Sequence, residues 1–163
     1  AGPSLDACWD DLAAEPLRAY AAMWRLAEAG PESRAALGPR VKPCQGAEAE
    51  AAALLEKLKS DAYSERMRAV RALEALASEV SEVLEEAYQG SKDADFRFHL
   101  KRLLGAAKAA RLRRPELCRA CRLAWVCEKV GGQHAETVLK TLAQSPARLA
   151  AAEAKAALAR MGR

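Results

Sequence analysis

The sequence is poor in the residues that build β-sheets, and it has no long hydrophobic run. Phe, Trp and Tyr make up 5% of its 163 residues, and β-branched residues are sparse. No segment alternates apolar and polar residues as a half-buried strand does, and no apolar run reaches the roughly 18 residues of a membrane-spanning helix. We therefore expect neither a β-rich fold nor a membrane span.

Alanine accounts for about a quarter of the residues, and Leu, Glu, Arg and Lys supply most of the rest. These residues favour helices, and small Ala side chains allow helix axes to approach each other closely. Because each Ala buries little area, the core is expected to be thin, with many shallow contacts and a few large anchors. The expected anchors are Trp9, Trp24 and Trp125.

The net charge of +4 is mild for a chain of this size, so the overall charge does not demand a nucleic-acid partner. The five cysteines are odd in number, and three of them fall in one predicted helix. This distribution is unlike the disulfide framework of a secreted protein. We expect a reducing compartment and a cytoplasmic location.

Gly and Pro residues divide the chain into segments in which apolar residues recur at helical spacing. Cap and first-turn residues indicate helix starts at Asp6, Pro16, Asp93 and Pro115, and Gly131 indicates a helix end. The pattern predicts an all-α fold of seven or eight helices with tight connections. Such a fold is either a bundle or a solenoid.

Similar short segments favour the solenoid. Two segments are alike: Arg-Ala-Val-Arg-Ala-Leu at 68–73 and Arg-Ala-Cys-Arg-Leu-Ala at 119–124. Each begins a predicted helix that meets a second helix after a turn, and the segment 154–158 resembles the same half of this repeated helix pair. Pairs of this kind bury their apolar faces by stacking on neighbouring pairs. We expect an α-solenoid of HEAT-like helix pairs that forms one domain at 47–163, with a short helical N-terminal cap at 1–43.

Several runs resemble a known family. The most specific is Ala-Tyr-x-Ala-Met-Trp-x-Leu-Ala at 19–27. Further runs are Cys-Trp-Asp-Asp-Leu-Ala at 8–13, Arg-Val-Lys-Pro at 40–43, Asp-Ala-Tyr-Ser-Glu-Arg at 61–66 and Glu-Ala-Lys-Ala-Ala-Leu at 153–158. They resemble the helical C-terminal region beside WD40 propellers in planctomycete-type bacterial proteins. The resemblance implies a HEAT-like accessory module without assigned chemistry, although no propeller is present here.

Cys118, Cys121 and Cys127, with His134 downstream, are of the side-chain types that bind zinc. Cys118 and Cys121 share a helix face, but Cys127 lies about 120° around the helix from Cys121 at roughly 100° per residue. Structural zinc sites also prefer a loop to a continuous helix, and a redox pair would lack its usual strand-then-helix context. We expect buried free thiols, with no metal and no cofactor.

The sequence shows no catalytic constellation. Neither His99 nor His134 has a nearby nucleophile with a third group to orient it. Paired acids fall at helix starts or on exposed faces, and Gly131 with Gly132 is typical of a helix C-cap and not of a phosphate loop. We expect that the protein is not an enzyme.

Positive charge is concentrated in the stretch 97–122, where Glu116 is the only acid. Part of this stretch would be able to line one edge of the solenoid and neutralise phosphates. The alternative is that its cations solvate helix faces and cap carbonyl ends. The candidate binding residues are Arg97, Lys101, Arg102, Lys108, Arg111, Arg113 and Arg114.

These expectations favour a non-catalytic protein-interaction or scaffolding module. Its partner would be another protein or a neighbouring domain of a larger parent polypeptide. The alternative is a sequence-nonspecific nucleic-acid-binding module that uses the stretch 97–122 with weak affinity. A HEAT-like glycosylase-type enzyme is the least favoured hypothesis, because it needs a pocket with an isolated carboxylate beside a Trp.

Overall fold

The structure, a computed structural model, describes residues 4–30, 35–109 and 114–162 and shows no strand among them. The predicted all-α class is confirmed. Two α-helices precede residue 47 and seven follow it within the described residues. In chain order the helices are α1 (Leu5–Asp11), α2 (Pro16–Glu28), a 3-10 helix (Gly38–Arg40), α3 (Glu48–Leu58), α4 (Tyr63–Leu76), α5 (Ser81–Gly90), α6 (Ala94–Ala109), α7 (Pro115–Val130), α8 (Gly132–Ala143) and α9 (Arg148–Met161).

Several helix ends lie where Pro, Gly and Asp predicted them. Pro115 begins α7, and Gly131 ends it with a φ of 66°, which favours glycine. The Asp93 carboxylate accepts a 3.0 Å hydrogen bond from the backbone N–H three residues further on and so caps α6. The predicted cap at Asp6 is wrong, because the hydroxyl of Ser4 caps α1 and Asp6 lies in the first turn.

The described residues fall into two compact units. The terminal unit comprises those within Ala1–Gln45 and Arg113–Arg163, and the middle unit those within Gly46–Leu112. This division departs from the predicted cap at 1–43 and single domain at 47–163. Its physical reason is that α1 packs on α2 and α2 packs on α7, so the N-terminal helices share a core with the C-terminal ones.

The middle unit is built from α3 to α6. In it α3 packs on α4, α5 packs on α6, and α4 also contacts α6. Apolar side chains at spacings of three and four residues give each helix one buried face, as the sequence pattern predicted. The fully buried members of this core include Val70, Leu73, Leu84, Leu100 and Leu103.

In the terminal unit α7 contacts α2, α8 and α9, and α8 packs on α9. The buried residues of α9 are all alanines, and small side chains permit a close approach of helix axes. The segment before the middle unit is fixed to this core by two hydrogen bonds. The N–H of Cys44 donates to the Ser145 hydroxyl at 2.9 Å, and the carbonyl of Cys44 accepts from the N–H of Ala147 at 3.0 Å.

The expectation that Trp9, Trp24 and Trp125 are large buried anchors is wrong. Trp24 is 40% exposed, and Trp9 and Trp125 are only half-buried. On α2 aliphatic residues, two of them alanines, lie against other helices, and the larger rings stay outside this close contact. The buried residues of α2 are Ala19, Ala22 and Leu26.

Candidate functional site

Large apolar side chains are exposed on one face of α2. Leu17 is 86% exposed, Tyr20 59% and Trp24 40%. The Trp24 ring packs edge-to-face on Trp125 of α7, with centroids 5.4 Å apart, and on Tyr20 at 6.2 Å. We call Leu17, Tyr20, Trp24 and Trp125 the aromatic surface.

The aromatic surface is exposed, but the two helices that carry it hold it in place. Its residues lie on two helices that pack on each other, and this packing limits the movement of its rings. The ammonium of Lys129 lies 5.7 Å from the centroid of the Trp125 ring and adds positive charge beside it. A cluster of exposed aromatic and aliphatic side chains with a charged neighbour is typical of a protein-binding surface.

This surface was not predicted from the sequence. Leu17, Tyr20 and Trp24 recur at helical spacing, which indicated a buried face. The contrary signal was the second apolar face of α2, which carries Ala19 and Ala22. When one helix has two apolar faces, the face with small residues packs more closely on other helices, and the face with large residues stays exposed.

Among the predicted basic residues, Arg97 has a structural role in the middle unit. Its Nη1 donates to the carbonyls of Tyr88 at 3.1 Å and Ser91 at 3.0 Å. Its guanidinium also lies 4.1 Å from the centroid of the Tyr88 ring. Arg97 therefore caps the carbonyl end of α5, as the alternative interpretation of the basic stretch proposed.

The other predicted residues of α6 differ in their surroundings. Arg102 donates a hydrogen bond of 2.7 Å to the carboxylate of Glu74 and so connects α6 to α4. Lys101 and Lys108 are exposed. Four candidate cations belong to the middle unit. Within the described residues, the two arginines have carbonyl or carboxylate partners, and neither lysine has a partner of either kind.

The remaining candidates lie further along the chain. Arg111 and Arg113 lie outside the described residues. Arg114 is the residue before α7 and belongs to the terminal unit. Later in α7, Nη1 of Arg122 donates to the carbonyl of Leu12, the C-cap of α1, at 2.7 Å and to the carbonyl of Ala14, in the connection to α2, at 2.8 Å. The basic stretch is thus divided between the two units, and several of its arginines bond carbonyls.

A pocket of about 370 Å³ lies beside the start of α7 in the terminal unit. Nε of Arg119 donates to the carbonyl of Trp9 at 3.1 Å, and the guanidinium lies 5.2 Å from the Trp9 ring centroid. We call this cavity the basic pocket. Its charged lining residues are Arg40, Lys42, Arg114, Glu116 and Arg119.

All five cysteines are free thiols, and all except Cys121 are buried. Burial, together with the negative charge of Glu153 and the nearby Cys118 and Cys44, raises the pKa of Cys121 from 9.0 to about 12. A thiol with such a pKa remains protonated at neutral pH. It is therefore a poor nucleophile and a poor metal ligand.

A smaller cavity of about 170 Å³ lies where α7 meets α8, and both Cys127 and His134 line it. Burial raises the pKa of the Cys127 thiol from 9.0 to about 12. Cysteine–histidine catalysis needs a thiolate, which requires a lowered pKa. This pair of residues is therefore not an activated nucleophile.

The part of the chain that the structure describes has no group of three or more His, Cys, Asp or Glu side chains placed to hold a metal ion. The same residues form no helix with both the length and the apolar composition of a membrane span. Comparisons of the chain with protein-family models, with curated proteins and with solved structures gave no match.

Proposed function

We propose that the chain is a non-catalytic protein-interaction module that binds its partner at the aromatic surface. The observation that carries this proposal is the exposure of Leu17, Tyr20 and Trp24 on a helix whose other face is already buried. Aromatic side chains supply much of the binding energy in protein interfaces. A partner that covers these fixed rings gains apolar burial at a small cost in conformational entropy.

The packing of the helices supports a HEAT-like module. Consecutive helices pack on each other as α3 on α4, α5 on α6 and α8 on α9. Helix pairs of this kind are the building units of α-solenoids. We propose an accessory role like that of the helical region beside WD40 propellers. Its partner would then be a neighbouring domain of a larger parent polypeptide or a separate protein.

The chemistry of the described side chains supports a role without catalysis. The thiol of Cys127, which shares a cavity with His134, has a pKa raised to about 12. The other histidine, His99, lies 3.9 Å from Asp95 of the same helix. Neither arrangement contains an activated nucleophile. We therefore propose binding, in preference to a glycosylase-type or other reaction.

The placement of the arginines favours a protein partner over nucleic acid. Arg97 and Arg102, two of the candidate phosphate-binding residues, already bond carbonyl groups and a carboxylate. Electrostatic affinity for a nucleic acid grows with the number of cations that contact phosphates. We expect the exposed Lys101 and Lys108 to give only weak, nonspecific binding to nucleic acid.

A photo-reactive amino acid in the aromatic surface tests the proposal. p-Benzoylphenylalanine replaces Tyr20 in the full chain, and in the matched control it replaces Tyr63, which is 69% exposed in the middle unit. Both proteins are irradiated in an extract of the source organism, and the adducts are treated with protease or nuclease. We expect a defined protein adduct from position 20 and none of the same identity from position 63.

A second control adds Trp24→Ala to the protein that carries the crosslinker at position 20. Loss of an interface Trp commonly costs about 2 kcal/mol or more, so the yield of the adduct should fall at least about tenfold. Equal yields from positions 20 and 63, or an adduct that nuclease removes, would contradict the proposal.

A further inference from the structure

We propose that the aromatic surface binds a proline-rich segment in the polyproline II conformation. This partner chemistry rests on the proposed function of the same surface as a protein-binding site. The seven prolines of the chain are isolated from one another, so no segment of this sequence is itself proline-rich. The occupant is therefore a segment of another protein or of another part of the parent polypeptide.

The exposed area of the aromatic surface suits a short segment. Tyr20 is 59% exposed and Trp24 is 40% exposed. The two exposed fractions together amount to about one aromatic side chain, or roughly 150 to 250 Å². Leu17 and Trp125 add to this area, but the sum stays below the about 800 Å² that each partner contributes to a standard interface. A second copy of the chain would need more area than this surface supplies.

The polar groups of the aromatic surface need hydrogen-bond acceptors. The hydroxyl of Tyr20 and the indole N–H groups of Trp24 and Trp125 make no hydrogen bond with any part of the chain that the structure describes. An indole can only donate a hydrogen bond. A partner that covers these rings must supply acceptors, because a donor that is buried without an acceptor weakens the complex.

A proline-rich segment supplies acceptors and brings no competing donors. The polyproline II helix has no internal hydrogen bonds, so its backbone carbonyls are free to accept. Proline itself has a carbonyl and no backbone N–H. An α-helix, in contrast, uses its carbonyls within the helix, and a β-strand brings N–H groups for which an indole offers no acceptor. The indoles of Trp24 and Trp125 therefore match a proline-rich segment better than a helix or a strand.

The spacing of the aromatic rings also fits proline side chains. The Trp24 ring contacts both Tyr20 and Trp125, with centroids 6.2 and 5.4 Å apart. Alternate residues of a polyproline II helix are about 6 Å apart, since the rise is roughly 3.1 Å per residue. Alternate proline rings would therefore lie against successive aromatic rings. Such a segment is already ordered before it binds, so it loses little conformational entropy.

NMR of the indole N–H groups during titration of the full chain with decaproline tests the proposal. The chain has three Trp residues and so gives three indole signals. We expect the signals of Trp24 and Trp125 to move downfield as their N–H groups bond carbonyls. The signal of Trp9, which lies outside the aromatic surface, should stay in place. The peptide is acetylated and amidated and carries no charge, so the positive charge of the protein does not attract it.

A variant without the indole N–H measures the contribution of the donor. Trp24→Phe keeps an aromatic ring, and it should raise the Kd for decaproline at least about fivefold, as expected for one lost hydrogen bond. The matched control is Trp9→Phe, which makes the same replacement in the terminal unit and should change the Kd less than about twofold. The two variants also assign the indole signals. Equal effects of the two substitutions would overturn the proposal.

Other outcomes separate the failure of this proposal from the failure of the proposed function. An amphipathic helical peptide of Leu and Glu that moves the same two signals at lower concentration than decaproline would replace the proline-rich segment by a helix. Signals that move with protein concentration alone would assign the surface to a second copy of the chain. If decaproline moves none of the signals, the proline-rich partner is overturned, while the adduct at position 20 decides independently whether the surface binds a protein.

Discussion

At alkaline pH, from 9.0 to about 12, the free energy of unfolding should fall, and Cys127→Ala should make that fall shallower. Burial raises the pKa of this thiol from 9.0 to about 12 in the folded protein. In this range the unfolded chain releases the thiol proton while the folded chain retains it. The contribution of the thiol to the free energy of unfolding is therefore fully present below the unfolded pKa and is lost as the pH rises towards the folded pKa. One thiol contributes a slope of roughly 1.4 kcal/mol per pH unit, which amounts to about 4 kcal/mol across the range.

Urea unfolding at a series of alkaline pH values, under reducing conditions, measures this slope. Trp9, Trp24 and Trp125 all belong to the terminal unit, so tryptophan fluorescence reports on the unit that contains Cys127. The matched control is Val126→Ala, since Val126 is 2% exposed and has no titratable group. This control should lower stability by a similar amount at every pH. Parallel slopes for the wild type and Cys127→Ala would show that the thiol is not buried as described.

Arg122→Ala should destabilise the terminal unit by about 3 kcal/mol. Nη1 of Arg122 donates to the carbonyls of Leu12 at 2.7 Å and Ala14 at 2.8 Å in a partly buried position. The carbonyl of Leu12, the C-cap of α1, has no partner within that helix, and Ala14 lies in the connection to α2, so the substitution leaves both carbonyls without this donor. Each hydrogen bond from a charged donor is worth about 1.5 to 3 kcal/mol, and we take the lower value because both bonds share one nitrogen.

Arg18→Ala is the matched control for Arg122→Ala in the same unit. Arg18 pairs with Asp11 at 2.5 Å, but its side chain is 71% exposed, and such surface pairs contribute less than about 1 kcal/mol. The measurement is again urea unfolding followed by tryptophan fluorescence. If Arg122→Ala shifts the transition no more than Arg18→Ala, the N-terminal helices are not held to α7 as the structure describes.

Helix positions could be predicted because their determinants are local. Asp93, Pro115 and Gly131 each act on a backbone within a few residues, so a short stretch of sequence is enough to place the helix end. The error at Asp6 was also local, since Ser4 is an equally good cap two residues earlier. The residue types near position 5 indicate that a helix starts in this region, but they do not determine whether Ser4 or Asp6 caps it.

The pairing of the chain ends could not be predicted in this way. The hydrogen bond from Arg122 to Leu12 joins residues 110 positions apart, and nothing near either residue specifies the other. The bonding partners of the arginines in the basic stretch could not be predicted for the same reason. Arg97 and Arg122 look like free cations in the sequence, and only the tertiary structure shows that each donates to the carbonyl end of another helix.

The affinity of the partner captured at position 20 is the measurement that tests the central claim most directly. Trp24→Ala should raise the Kd for that partner by about thirtyfold, as expected for an interface Trp worth about 2 kcal/mol. The matched control is Phe98→Ala, which removes an aromatic side chain that is 65% exposed in the middle unit, and it should change the Kd less than about twofold. A Trp24→Ala protein that keeps its urea midpoint and binds the partner as tightly as the wild type would contradict the assignment of the aromatic surface as the binding site.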